Sequence, residues 1–140
     1  MIDQSGEFGK RAAGRLREES VIWLTTVDAR GTPQPRPVWF LWNEKENSYL
    51  IFSQPSGAKV RHIQANPHVS LNLNSDEGGD DFVVVIGEAK ILSGEIPPSE
   101  VEAYVKKYGE GMKSIGLTEE QFRESYRTAI RVTPAKVRGF

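Results

Sequence analysis

The chain has 140 residues, 38% hydrophobic and 26% charged, with three Trp, four Tyr and six Phe, the size and mix of one folded domain over residues 1–140. Eighteen Lys and Arg stand against 19 Asp and Glu, so no global field draws the protein to nucleic acid or an anionic membrane, and a bound anion must be held locally. Without cysteine there are no disulfides, thiolate metal sites or cysteine nucleophiles, and two histidines argue against a His-rich metal centre. The N-terminal stretch lacks a signal-like apolar run and no segment approaches the roughly 20 apolar residues of a membrane span, so the expectation is a soluble, cytoplasmic protein with no metal.

In chain order, residues 4–19 read as a helix with Phe8, Ala12 and Leu16 on one face. Residues 20–27 (SVIWLTTV) read as a strand entering a hairpin through Asp28-Ala29-Arg30-Gly31. The partner, residues 32–42 (TPQPRPVWFLW), carries Pro33, Pro35 and Pro37 at one parity, so the missing N–H donors fall on one side and one flank stays unpaired until about Val38. Residues 49–53 (YLIFS) form a third strand. After Gln54-Pro55-Ser56-Gly57 a short helix begins at Ala58, with Val60 and Ile63 inward, and Asn66-Pro67 stops it. Residues 68–74 alternate as a half-buried strand, and residues 82–92 form the longest strand, with Gly87 marking a bulge or bend. Ser99 and Glu102 have capping-box spacing before a helix to Tyr108 that puts Val101, Val105 and Tyr108 on one face. Thr118 and Gln121 repeat the signal for a helix to about Tyr126, and residues 128–132 form a last strand before the tail 133–140. The sum is a mainly β fold, a small antiparallel barrel of about six strands with peripheral helices.

The best local chemistry lies where the third strand meets the short helix, Ser53 to His62. A Ser/Gly turn feeding a helix N-terminus presents free N–H groups and a positive dipole end, and Lys59 and Arg61 add full charges, so the junction suits a phosphate; His62 is a further ligand contact. Should the free flank of the proline strand adjoin this junction, a planar ligand can lie against backbone and aromatics with its anionic tail toward Arg36, Lys59 and Arg61. Trp23, Trp39 and Trp42 read as core or dimer-interface residues. Residues 76–81 (DEGGDD) lack EF-hand spacing and read as a solvated loop; His62 and His68 stand in neither a zinc nor a triad pattern. No catalytic side chain can be assigned, so a cofactor must carry any hard chemistry.

The series RPVWFLW (36–42), YLIFS (49–53), SGAKVRHIQANPHVSLNLN (56–74) and VVVIGEA (83–89) resembles the pyridoxamine 5′-phosphate oxidase-like split β-barrel proteins, most closely the group described as coenzyme F420-dependent enzymes. The resemblance runs over nearly the whole chain and includes RVTPAKVRGF at its end. It implies an FMN-binding-type split barrel, a homodimer with flavin or deazaflavin in a groove at the subunit interface, and cofactor contacts from Arg36, the backbone of Pro37, Val38, Trp39, Phe40 and Leu41, then Phe52, Ser53 and Lys59. The oxidase pattern has a basic residue at Ala58 and a flavin-contacting glutamine near Phe82, and its C-terminal substrate elements are missing here. These departures favour F420 over FMN, with Arg61 and His62 left for phosphate and an oligoglutamate tail. Phe140 is expected near the partner's cofactor. The implied function is an F420-dependent oxidoreductase passing hydride between deazaflavin C5 and a small organic substrate. The alternatives are an FMN-dependent oxidoreductase of the same fold and a non-catalytic carrier of F420, FMN or haem; an OB-like nucleic-acid module suits a barrel but not the balanced charge.

Overall fold

The computed structural model describes residues 2–94 and 96–140. Its elements are α1 (Glu7–Glu18), β1 (Ile22–Val27), β2 (Pro33–Val38), β3 (Leu41–Asn43), β4 (Ser48–Ser53), α2 (Ala58–Ala65), β5 (His68–Leu73), β6 (Val83–Ile91), α3 (Pro98–Ser114), α4 (Glu119–Ser125) and β7 (Thr128–Gly139). The strands form one sheet in the order β2-β1-β5-β6-β7-β4-β3, each neighbouring pair antiparallel.

The two edges of that order, β2 and β3, are separated in sequence only by Trp39 and Phe40. Three Cα steps span at most about 11 Å, so the sheet must curl until its edges nearly meet. The result is a split barrel, closed by the chain at this corner and unpaired between β2 and β3. The proline segment therefore makes two strands on opposite edges, giving seven strands where about six were expected. Within it, β2 has β1 as its one strand neighbour, and the N–H donors for that ladder come from Gln34, Arg36 and Val38 because proline has none. The free flank expected there exists.

Gly87 marks the place where the β6–β7 register shifts: Ile86 faces Lys136 while Gly87 faces Pro134, so Ala135 is the extra residue and the bulge lies on β7. A Cβ at Gly87 would stand 2.4 Å from the Thr133 carbonyl oxygen, which is why no side chain fits. Past the bulge β7 continues along β6 to Gly139, so most of the expected C-terminal tail is strand.

Apolar residues divide between two clusters. Tyr49, Ile51, Ile130 and Val132 point into the barrel with Leu24, Leu71 and Val85, sealed by Ala12 and Leu16 of α1 and Ile63 of α2. On the opposite face of β3 and β4, Leu41 and Phe52 meet Tyr104, Tyr108 and Met112 of α3 and Phe122 of α4. Coverage on both faces explains why YLIFS is continuously apolar. A bidentate pair fixes α3 to the sheet: Arg131 Nη1 and Nη2 donate to the Glu100 carboxylate at 2.6 and 2.7 Å, and Asn43 adds a third bond at 3.0 Å.

The Thr118–Gln121 capping box forms in both directions. The Ser99–Glu102 box does not: α3 starts two residues earlier, with Pro97 as N-cap and Pro98 in its first turn, and the missing proline N–H there needs no partner. That helix runs on to Ser114, and its buried face is Glu100, Tyr104, Tyr108 and Met112, with Val101 and Val105 half-buried beside it.

Candidate functional site

Where β2 ends, the chain leaves the sheet for two residues, and their backbone groups need partners from elsewhere. Side chains of α3 supply those of Phe40. The Phe40 N–H donates to the Tyr108 hydroxyl at 2.8 Å, and the Phe40 carbonyl accepts from Lys107 Nζ at 2.9 Å. The Tyr108 proton has two acceptors in reach, the carbonyls of Ser20 at 2.7 Å and Phe40 at 2.8 Å. Lys107 Nζ also lies 3.8 Å from the centre of the Phe40 ring, a cation–π contact, and burial pushes its ammonium down to about 8. Trp39 then stacks on Tyr108 with ring centres 4.6 Å apart and planes 5° from parallel. A Cβ at Gly111 would lie 3.3 Å from Cη2 of Trp39, so this glycine inside α3 leaves room for the indole.

Beside this corner is a cleft of about 360 Å³. One wall is Pro37, Val38 and Trp39; the aromatic residues Phe52, Tyr104, Phe122 and Tyr126 add to the lining, and so do the exposed Val21 and Ile115. Lys59, from the first turn of α2, is the charged group in the lining. Burial holds its ammonium below the ordinary value, and the positive charge of Arg36 adds to the effect. Gly57 is the N-cap of α2 with no side-chain cap, and a Cβ there would be 3.1 Å from Ser53 Oγ and 3.9 Å from Lys59 Nζ. The end of β4, the helix start and Lys59 thus converge on one point.

Of the residues singled out from the sequence, Pro37, Val38, Trp39, Phe52 and Lys59 share the cleft, with Arg36 exposed near Lys59 and Ser53 buried beside Gly57. Phe40 does not line it: its ring is in the barrel core and both its backbone groups are bonded to α3. Arg61 and His62 lie elsewhere, in a depression against Asp28, Ala29 and Arg30 of the β1–β2 turn. Arg61 donates to the Ser56 carbonyl at 3.0 Å, and His62 Nδ1 is 2.8 Å from Oγ1 of the buried Thr26. For Arg61 a helix explains the divergence, since a residue two positions beyond Lys59 points to the opposite side; His62 is drawn off by its contact with Thr26. Phe140 is exposed at the end of β7 and outside the cleft lining.

The family model of pyridoxamine 5′-phosphate oxidase matches residues 8–140. The chain belongs to this family. Among solved structures, an F420 reductase is 26% identical, covering 88% of this chain and 93% of its own, with a TM-score of 0.65. HutZ, a heme storage protein from Vibrio cholerae, is 18% identical over 91% of this chain and 92% of its own, with a TM-score of 0.69. A FAD-binding protein from Mesorhizobium loti is 19% identical over 91% and 88%, also at 0.69. The last two establish the split-barrel fold alone. No curated protein sequence matches significantly.

In this member of the oxidase family, α3 and α4 build much of the cleft, and sequence reasoning did not include Tyr104, Phe122 or Tyr126 in it. A signal was present: Tyr104, Tyr108 and Met112 recur every four residues, a helix face more apolar than that of Val101 and Val105. What spacing could not show is that this face packs outside the barrel, against Leu41 and Phe52. Among the described residues no helix is long and apolar enough to cross a membrane.

Proposed function

We propose that the cleft binds a deazaflavin of the F420 type and that the protein is an F420-dependent oxidoreductase acting on a small organic substrate. The observation that carries the reading is the half-buried Lys59 at a cleft otherwise walled by Pro37 to Trp39 and by aromatic rings, with the positive charge of Arg36 acting on it. A planar ring with an anionic tail matches both: the ring lies along the β2 backbone, and the tail meets two cations and an uncapped helix start. The 26% identical F420 reductase supports the choice of cofactor, and so does Ala58, where flavin-binding relatives carry a second basic residue. His62, the histidine nearest in sequence to Lys59, is turned toward Thr26 and lies outside the cleft lining.

The residues fit the group in defined roles. Lys59 and Arg36 hold phosphate, Ser53 and the backbone of Pro37 to Trp39 run along the cofactor, and Arg61, facing the depression beside Arg30, is left for a tail carboxylate. When bound, the deazaflavin supplies two-electron hydride chemistry at ring carbon C5. The protein orients it and excludes water with Trp39, Phe52 and Phe122. The unpaired edge of β2 and the exposed Val21 and Ile115 of the cleft lining support a homodimer that covers them.

Titrating cofactor-free protein with F420 and separately with FMN, by ligand fluorescence and Trp quenching, tests this reading. Micromolar or tighter F420 binding with weak FMN is expected; the reverse makes it a flavoprotein, and binding of neither refutes the site. Lys59→Ala removes a charge-assisted contact of about 1.5–3 kcal/mol and is expected to weaken binding roughly tenfold or more. Unchanged affinity would overturn the phosphate assignment. Substrate-dependent oxidation of the reduced cofactor above its rate in free solution separates an enzyme from a carrier.

A further inference from the structure

A second cleft, of about 270 Å³, adjoins the first and shares Phe52, Tyr104, Phe122 and Tyr126 with it. Val101 and Val105, one turn apart on α3, add to its apolar lining, and Arg123 and Arg127 stand exposed at its edge. The arginines differ. Arg123 is held by Glu119 at 2.6 Å, one turn back on α4, whereas Arg127 lies beyond the helix, between Tyr126 and the start of β7. The space is therefore lined by rings and branched aliphatic side chains and bordered by a guanidinium. Such a lining favours a ligand with a flat apolar body, through burial of its faces, and a single negative group that a guanidinium can meet with two parallel hydrogen bonds. A neutral apolar molecule would leave the guanidinium unused, and a multiply charged one would have to desolvate charge against Phe52 and Val105.

We propose that this second cleft is a binding site for a ring-bearing organic monocarboxylate, with Arg127 pairing the carboxylate. Because the two clefts share a wall, such a ligand lies beside whatever occupies the first. Its role as the substrate of the oxidoreductase rests on the cofactor reading above, while its binding stands apart from that reading.

The probe is naphthalene-2-carboxylate, titrated calorimetrically into cofactor-free protein, with the neutral naphthalene-2-carboxamide as control. The carboxylate is expected to bind roughly tenfold or more tightly than the amide, the size of one charge-assisted contact. Arg127→Gln, at an exposed position, is expected to bring the carboxylate down to the amide's affinity. Val105→Trp is expected to abolish binding of both and to leave Lys59-dependent F420 binding unchanged. Equal affinity for carboxylate and amide, or loss of binding with Lys59→Ala but not with Arg127→Gln, overturns the proposal, and so does no binding by the wild-type protein. A protein that takes the carboxylate but neither F420 nor FMN keeps this site and loses the cofactor reading.

Discussion

Replacing Tyr108 by Phe removes one oxygen from the corner that closes the barrel and leaves the aromatic packing in place. That oxygen is the acceptor for the N–H of Phe40, a residue with no exposed surface, at 2.8 Å. Orphaning a buried N–H costs about 1–3 kcal/mol, and the lost donor bond adds about 1 kcal/mol where nothing replaces it. Replacement is at hand on the donor side, because Ser20 is exposed to water and the Phe40 carbonyl keeps Lys107 at 2.9 Å. The expected loss is thus about 2–3 kcal/mol, dominated by the Phe40 N–H. For a domain of this size that corresponds to a fall in Tm of roughly 6–15 °C. Urea unfolding of wild type and Tyr108→Phe measures it, with an unchanged m-value showing that the same surface is exposed. A loss below about 0.5 kcal/mol would mean that the Phe40 N–H finds another partner and that α3 does not pin the corner.

Burial depresses Lys107 to about 8 in the folded protein, below its ordinary 10.5, so the unfolded chain binds this proton more tightly. Wild-type stability should rise as pH climbs from about 8 toward 10, then fall as the buried Tyr49, Tyr104 and Tyr108, held protonated by burial, ionise in the unfolded chain; Lys107→Met should lose the rise and keep the fall. Arg131→Met leaves the Glu100 carboxylate buried without its partner and should cost about 3–5 kcal/mol near neutral pH. Since Arg131 holds Glu100 below its ordinary 4.5, the wild-type advantage is present above that pH and should shrink as pH falls through the depressed value, as paired acid titrations of Tm would show. Gly87→Ala must displace the Thr133 backbone and should destabilise by about 1–3 kcal/mol, whereas Gly14→Ala in α1 meets no atom within 4 Å and should stabilise by up to about 1 kcal/mol. Denaturant midpoints of the two variants moving the same way would refute that contrast.

Element type was largely readable along the chain because it depends on neighbours in sequence. The period-two pattern of residues 68–74, the Asp28–Gly31 turn and the Thr118–Gln121 box are all local, and each stands close to where the residues place it. Gly87 was readable as an irregularity, but not that the extra residue would be Ala135, 48 residues away on the paired strand. The Ser99–Glu102 spacing misled because Pro97 and Pro98 already start the helix, leaving that capping geometry no place.

The site divides along the same line. Sequence alone determined that β2 keeps an unbonded flank, since proline lacks the donor wherever it is placed, and that Lys59 stands in the first turn of a helix after a Ser/Gly turn. It could not determine which cation acts with Lys59: Arg61 is nearer to Lys59 in sequence than Arg36 is, yet helical geometry turns Arg61 toward Arg30, while it is burial and then the charge of Arg36 that lower Lys59. Nor could it place the second wall, because Tyr104, Phe122 and Tyr126 reach the cleft only once α3 and α4 pack outside the barrel on Leu41 and Phe52. Backbone chemistry belongs to a residue wherever it sits; convergence of side chains depends on sheet closure and helix docking, which are set by apolar contacts between distant parts of the chain.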